Sequence, residues 1–124
     1  MLETGIDIVE ISRIKSSIQK SDRFKNRIFH KKEIEYCEKF SDKYQHYGAR
    51  FAGKEAVRKI LLNYFDLNIL KWNSVWIENE SNGKPILKFS NEILAKIKIK
   101  NCSISLSHIK NLAVASVIME FENI

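Results

Sequence analysis

Apolar and polar positions alternate from Leu2 to Val9, which predicts a strand, and the period then changes. Ile11, Ile14 and Ile18 fall on one side of a helix expected over about Glu10–Lys20. A basic connector is expected next, and then a helix from His30 or Lys31 to about Phe40, with Ile34, Cys37 and Phe40 in phase. The longest helical run extends from Tyr44 to about Phe65. Beyond it, Trp72–Ile77 alternates as a strand, and the turn residues Ser81-Asn82-Gly83-Lys84 join it to a second at Pro85–Phe89. A short helix over Asn91–Ile97, capped by Ser90 or Asn91, precedes two closing strands, Cys102–Ser107 and Leu112–Phe121. The last of these is apolar on both faces, which marks it as central. A single domain over residues 1–124 is expected, with the long helix as the backbone of its fold.

Composition narrows this picture. A hydrophobic fraction of 44% suits a globular domain. Glu3, Asp7 and Glu10 interrupt the apolar start, so no signal peptide is expected, and no run approaches the roughly 18 residues of a membrane span. A cytoplasmic location is the resulting expectation. Cys37 and Cys102 stand alone with three histidines, which encodes neither a disulfide framework nor a structural zinc site. Most of the net charge of +6 lies in the first half of the chain, and within 13–32 eight Lys/Arg residues face only Asp22. That segment implies an acidic partner. No nucleic-acid-binding signature accompanies it, and only Phe24 and Phe29 could stack on bases.

The long helix carries the most unusual chemistry. Ala49, Ala52, Gly53 and Ala56 form a stripe at i, i+3, i+4 and i+7, where another backbone or a ligand can come close. Lys54 and Glu55 flank that stripe, offering an ammonium for phosphate oxygens and a carboxylate for a hard cation. Asp7 lies inside the apolar strand Gly5-Ile6-Asp7-Ile8-Val9, where a carboxylate needs a cation or hydrogen-bond donors. With Glu55 it would make the sparse oxygen set typical of Mg²⁺; a helix N-terminus or Arg50 are the other partners open to it. His108 ends the run Ser105-Leu106-Ser107-His108, sharing a face with Ile104 and Leu106 while the serines line the other. Such a histidine is either a satisfied core residue or a phosphate ligand turned into a cleft.

Taken in order, Gly5-Ile6-Asp7-Ile8-Val9-Glu10-Ile11, Arg27-Ile28-Phe29 with Glu33, Arg50-Phe51-Ala52-Gly53-Lys54-Glu55-Ala56, Asn82-Gly83-Lys84-Pro85 and Ser105-Leu106-Ser107-His108 resemble the holo-acyl-carrier-protein synthases. These are the short, single-domain class of the 4′-phosphopantetheinyl transferase superfamily. The resemblance spans essentially the whole chain. It implies an α+β single domain with an antiparallel-type sheet packed against the long helix, a homotrimer with active sites between subunits, and transfer of the 4′-phosphopantetheine arm of coenzyme A to a serine of apo acyl carrier protein, releasing adenosine 3′,5′-bisphosphate. It further implies Asp7 and Glu55 as Mg²⁺ ligands, Lys54 as the lysine near the diphosphate, and Asp7, Glu55 and Lys54 together as the catalytic set. Arg50, Lys59, Ser107 and His108 then fall at or beside positions for the coenzyme A phosphates, and Gly83, Lys84 and Pro85 border the nucleotide. Glu55 would take the serine proton directly or through a water, the second route being the expected one. Arg13, Arg23 and Arg27 become the expected contacts for the acidic carrier protein. Neither nucleic acid nor a membrane is an expected partner.

The chain departs from the family pattern twice. Gly53 stands where alanine is usual, which is expected to widen the site, and His30 stands for a threonine, which is expected to move a helix start by a residue. Two rivals remain. One is a non-catalytic basic module that binds nucleic acid or an acidic protein, and the other is a transferase for carrier domains of peptide or polyketide synthases, against which the short length speaks.

Overall fold

The two-residue period of the first segment becomes strand β1, Leu2–Glu10, which pairs antiparallel with the last strand. The computed structural model describes residues 1–66, 68 and 70–122. Helices α1 (Ile11–Lys20), α2 (Asp22–Ile28), α3 (Lys31–Cys37) and α4 (Lys43–Leu61) follow β1. A 3₁₀ turn, Trp72–Ser74, leads into β2 (Val75–Asn79), then β3 (Pro85–Phe89), α5 (Asn91–Lys96), β4 (Ile99–His108) and β5 (Leu112–Phe121). The strands form a three-stranded antiparallel sheet in the order β1-β5-β4 and a separate hairpin of β2 and β3. The last strand is therefore central, as its sequence predicts.

Helix α4 lies across one face of the larger sheet. Its Ala56, Val57, Ile60 and Leu61 share a core with Ile104, Val117 and Met119, and the same core runs on to Val75, Ile77 and Leu87 of the hairpin. A second cluster, of Ile14, Ile18, Ile28, Phe29, Cys37 and Tyr47, is built from α1 to α4. Among the described residues nothing covers the sheet's other face. There Leu2, Ile6 and Ile8 of β1 are 62–65% exposed, and Ile118 of β5 is 45% exposed. β5 is central by pairing and yet buried on one side only.

Two segments differ from expectation. The basic connector is helical: the Ser21 hydroxyl accepts a hydrogen bond from the Arg23 N–H at 3.1 Å, Asp22 occupies the first turn, and Lys25 and Arg27 the last. These charges complement the helix dipole at both ends. Trp72–Ser74 is a tight turn rather than strand, with the Ser74 N–H donating to the Lys71 carbonyl at 3.0 Å. His30 caps α3, so the helix begins at Lys31: its Nδ1 accepts from the Lys32 N–H at 3.1 Å while Glu33 Oε1 accepts from the His30 N–H at 2.9 Å. Burial lowers the proton affinity of the His30 ring, which favours the neutral form that a cap requires.

Candidate active site

A missing side chain sets the geometry of the site. A Cβ at Gly5 would lie 2.3 Å from the Ala56 carbonyl oxygen, so only glycine lets β1 rest directly on the backbone of α4. Asp7 is two residues further on the same face of β1, and Glu55 adjoins Ala56 on the helix. The close approach thus delivers one carboxylate from each element to a common cleft of about 620 Å³, which Arg13, Phe51 and Lys59 also line. The small-residue stripe works as its pattern suggests: Ala56 admits β1, and Ala49 packs with Ile11 and Ala113.

Lys59 shares the cleft with the two carboxylates. Its ammonium donates to Asp7 Oδ1 and to the Ile6 carbonyl, each at 2.9 Å. As Glu55 and Lys59 are four residues apart, α4 presents both to the same cleft. Burial and the neighbouring Asp7 charge raise the proton affinity of Glu55, against the opposing pull of Arg58 and Lys59. Asp7 answers to Lys59 and not to Arg50, which was one of its possible partners.

Burial and the Asp7 charge both disfavour the ionised form of Glu55, and a divalent cation in this cleft would relieve it. Among the described residues no cluster of three or more His, Cys, Asp or Glu surrounds them. That sparse oxygen set suits a hard ion such as Mg²⁺, which keeps most of its positions for water and phosphate oxygens. Asp7 and Glu55 therefore fit the group the sequence implies for them.

Lys54 requires a correction. It is fully buried and its ammonium is 2.6 Å from Glu33 Oε1 in an ion pair closed to solvent on both sides. The other oxygen of Glu33 accepts from the Ile77 N–H at 3.0 Å, so this one carboxylate ties α3, α4 and β2 together. Burial lowers the proton affinity of Lys54 and Glu33 opposes that shift. Lys54 is a structural cation, turned away from the cleft; the lysine beside the carboxylates is Lys59. Gly53 requires one too: a Cβ there would meet Ile77 Cδ1 at 2.7 Å and Ile104 Cδ1 at 3.0 Å. Its absent methyl makes room in the core rather than widening the site.

The residues expected at coenzyme A fall into separate places. Arg50 is buried, with its guanidinium over the Tyr36 ring at 4.0 Å and hydrogen-bonded to Asn79 Oδ1, whose amide donates to the Gly83 carbonyl at 2.9 Å. Arg50 is thereby linked to the exposed turn of Gly83 and Lys84, which leads into Pro85 at the start of β3 and in which Gly83 has φ +90°. His108 is exposed at the end of β4, edge-on to His46 with 5.8 Å between ring centres. It lies on the helix side of the sheet, with Ile104 and Leu106, whereas Ser107 lies on the uncovered side. Within one chain these two neighbours do not face the same cleft. Of the arginines, Arg13 lines the carboxylate cleft and Arg27 a second cleft, and Arg23 is exposed on α2. Sequence reasoning gave no role to Glu33, Asn79 or Arg58; the spacing of Glu33 behind a capping residue was the signal available for the first.

Residues 3–117 match the family model of the 4′-phosphopantetheinyl transferase superfamily. A holo-[acyl-carrier-protein] synthase of Clostridium tetani is 39% identical over 125 residues, covering 98% of each chain. One from Geobacter sp. is 39% identical over 94% of this chain and 96% of its own. Among solved structures, the Helicobacter pylori holo-[acyl-carrier-protein] synthase in complex with coenzyme A superposes with a TM-score of 0.83 at 29% identity, over 95% of this chain and all of that one.

Proposed function

The chain belongs to the 4′-phosphopantetheinyl transferase superfamily, a family of transferase enzymes, and we propose that it is a Mg²⁺-dependent holo-acyl-carrier-protein synthase. It would move the 4′-phosphopantetheine arm of coenzyme A to a serine of apo acyl carrier protein and release adenosine 3′,5′-bisphosphate. The observation that carries this reading is the convergence of Asp7, Glu55 and Lys59 on one cleft.

In such a transfer the serine hydroxyl attacks the β-phosphorus while the bisphosphate departs, and negative charge grows on the diphosphate oxygens. A divalent ion held by Asp7 and Glu55 would neutralise part of that charge. Lys59, already in the cleft, is placed to exchange its contact with Asp7 for a diphosphate oxygen, the task the sequence reading gave to Lys54. Glu55 has the raised proton affinity that suits a base for the serine proton. Arg50, anchored to the Gly83 turn, and His108 would hold the phosphates of the nucleotide, with Lys84 and Pro85 along its edge. Ser107 would take part only from a neighbouring copy of the chain.

Assembly into a homotrimer is supported by the uncovered sheet face, where Leu2, Ile6, Ile8 and Ile118 offer an apolar patch that a second copy would bury. No helix among the described residues is long and apolar enough to cross a membrane. The experiment is intact-mass analysis of apo acyl carrier protein incubated with coenzyme A, Mg²⁺ and the protein. Gain of the arm's mass is expected, and an unchanged carrier under saturating substrate would refute the proposal. A basic binding module would instead bind polynucleotide in a salt-sensitive manner, indifferent to Asp7 and Glu55.

A further inference from the structure

Arg58 is the cation that the proposed reaction leaves unused. It is only 9% exposed, and one of its nitrogens, Nη1, donates to the Leu70 carbonyl at 2.9 Å while Nε has no acceptor among the described residues. The guanidinium lies 4.1 Å over the ring of Trp72, and Trp72 in turn stacks on Phe51 at 5.2 Å with the planes 20° apart. Glu55, one turn earlier on α4, is the carboxylate that acts on it electrostatically, and no ion pair holds it among the described residues. A half-satisfied arginine, held by the Leu70 carbonyl and stacked on Trp72, has already lost much of the freedom that binding would cost it.

Arg58 opens into a cleft of about 420 Å³ together with Arg27 of α2 and Lys71, Trp72 and Asn73 of the 3₁₀ turn. Arg27, Lys71 and Asn73 are exposed. Three cations and no carboxylate line it among the described residues, so its floor and rim invite an anion. Phe51 joins this cleft to the carboxylate cleft: it lines the latter and carries the Trp72 stack that backs the former. Arg13 lines the carboxylate cleft and Arg27 the cationic one. Arg50, with its link to the Gly83 turn, is eight residues earlier on α4, about 12 Å along the helix axis. The cationic cleft is thus separate from the place proposed for the nucleotide phosphates.

We propose that the cleft of Arg27, Arg58 and Lys71 receives an acidic side chain of the acyl carrier protein and so sets the carrier's position beside the Asp7–Glu55 cleft. The inference rests on the function proposed above and adds Arg58, Lys71 and Trp72 to the docking surface. The carboxylate gains a charged partner held in place in Arg58, while Arg27 and Lys71 supply attraction at the rim. Both substrates are anionic, so the test must tell a carrier carboxylate from a phosphate of coenzyme A.

The experiment is steady-state kinetics of Lys71→Glu, Arg58→Met and Arg58→Lys, with apo acyl carrier protein and coenzyme A varied in turn. Lys71 is exposed, so its variant keeps the fold if the buried Arg58→Met does not. For Lys71→Glu and Arg58→Met the KM for the carrier should rise roughly tenfold or more, as for loss of a docking charge, with the KM for coenzyme A within about twofold of normal. Arg58→Lys should recover part of the loss, and added salt should raise the carrier's KM less in Lys71→Glu than in the unaltered protein. Carrier KM values unchanged in Lys71→Glu and Arg58→Met overturn the proposal, and so does a rise in the KM for coenzyme A alone or equally for both substrates. An unaltered protein that fails to load the carrier at all refutes the proposed function instead.

Discussion

Glu33→Gln should destabilise the protein far more than its single-atom change suggests. All three partners of the carboxylate are donors: the Lys54 ammonium at 2.6 Å, the His30 N–H at 2.9 Å and the Ile77 N–H at 3.0 Å. A glutamine has one oxygen for them and must turn its NH₂ against at least one. It also leaves the Lys54 charge buried without a counter-ion, and breaking such a pair costs about 3–5 kcal/mol. For 124 residues that corresponds to a fall in melting temperature of roughly 12–19 °C. Urea denaturation at a fixed protomer concentration is the assay, with an unchanged slope and a lower midpoint expected, since assembly would otherwise add its own mass action. Lys54→Met should cost less, because Glu33 keeps two backbone donors. A loss under about 1 kcal/mol for Glu33→Gln would refute the reasoning. Equally fatal would be a Lys54→Met variant with unaltered stability and turnover reduced about 10²-fold, since it would return Lys54 to the diphosphate.

Asp7→Asn and Glu55→Gln should each lower turnover by at least about 10²-fold in the mass assay, and near-normal rates in either would remove that residue from the site. Gly5→Ala should cost about 1–3 kcal/mol and reduce activity as well, because its methyl forces β1 off α4 where Asp7 and Glu55 meet; calorimetry and kinetics read the two losses, and full activity would show the contact to be dispensable. The folded state lowers the proton affinity of His30, so the unfolded chain binds the extra proton, and the cap's contribution is present above the ordinary value of 6.5 and is lost as pH falls below it. That contribution is about 1 kcal/mol, and His30→Thr should flatten the decline in stability between about pH 7.5 and 5; an identical slope in both proteins would refute it. Ile6→Lys should shift the protein to smaller species in light scattering and lower its activity, and an unaltered mass would dissociate the apolar sheet face from assembly.

Much of the fold was legible because burial repeats at the periods of its elements. Ile104, Leu106 and His108 on one side of β4 and the serines on the other follow directly from alternation. Helix α2 was hidden by its charge: five of its seven residues are polar or charged, and Ile28 is buried alone. The stretch Trp72–Ser74 looked like a strand because three residues are too few to separate alternation from a turn. In the candidate site, Asp7 and Glu55 stood out as carboxylates set among apolar or very small residues. Lys54 and Lys59 were harder to tell apart. Adjacency to Glu55 favoured Lys54, but neighbours on a helix point about 100° apart, while residues four apart share a face. The phase of the helix therefore selects Lys59, and the buried partner of Lys54 is twenty-one residues away on another helix.

The contact between Gly5 and Ala56 is made by main-chain atoms, which gives it an unusual evolutionary standing. Side chains elsewhere in the interior can drift and compensate for one another, and the gap between the two acidic groups will hardly register the exchange. At codon 5, by contrast, every single-step replacement adds at least a methyl against a peptide oxygen. Lineages descended from this chain can thus rebuild most of their interior while that one position stays closed to change.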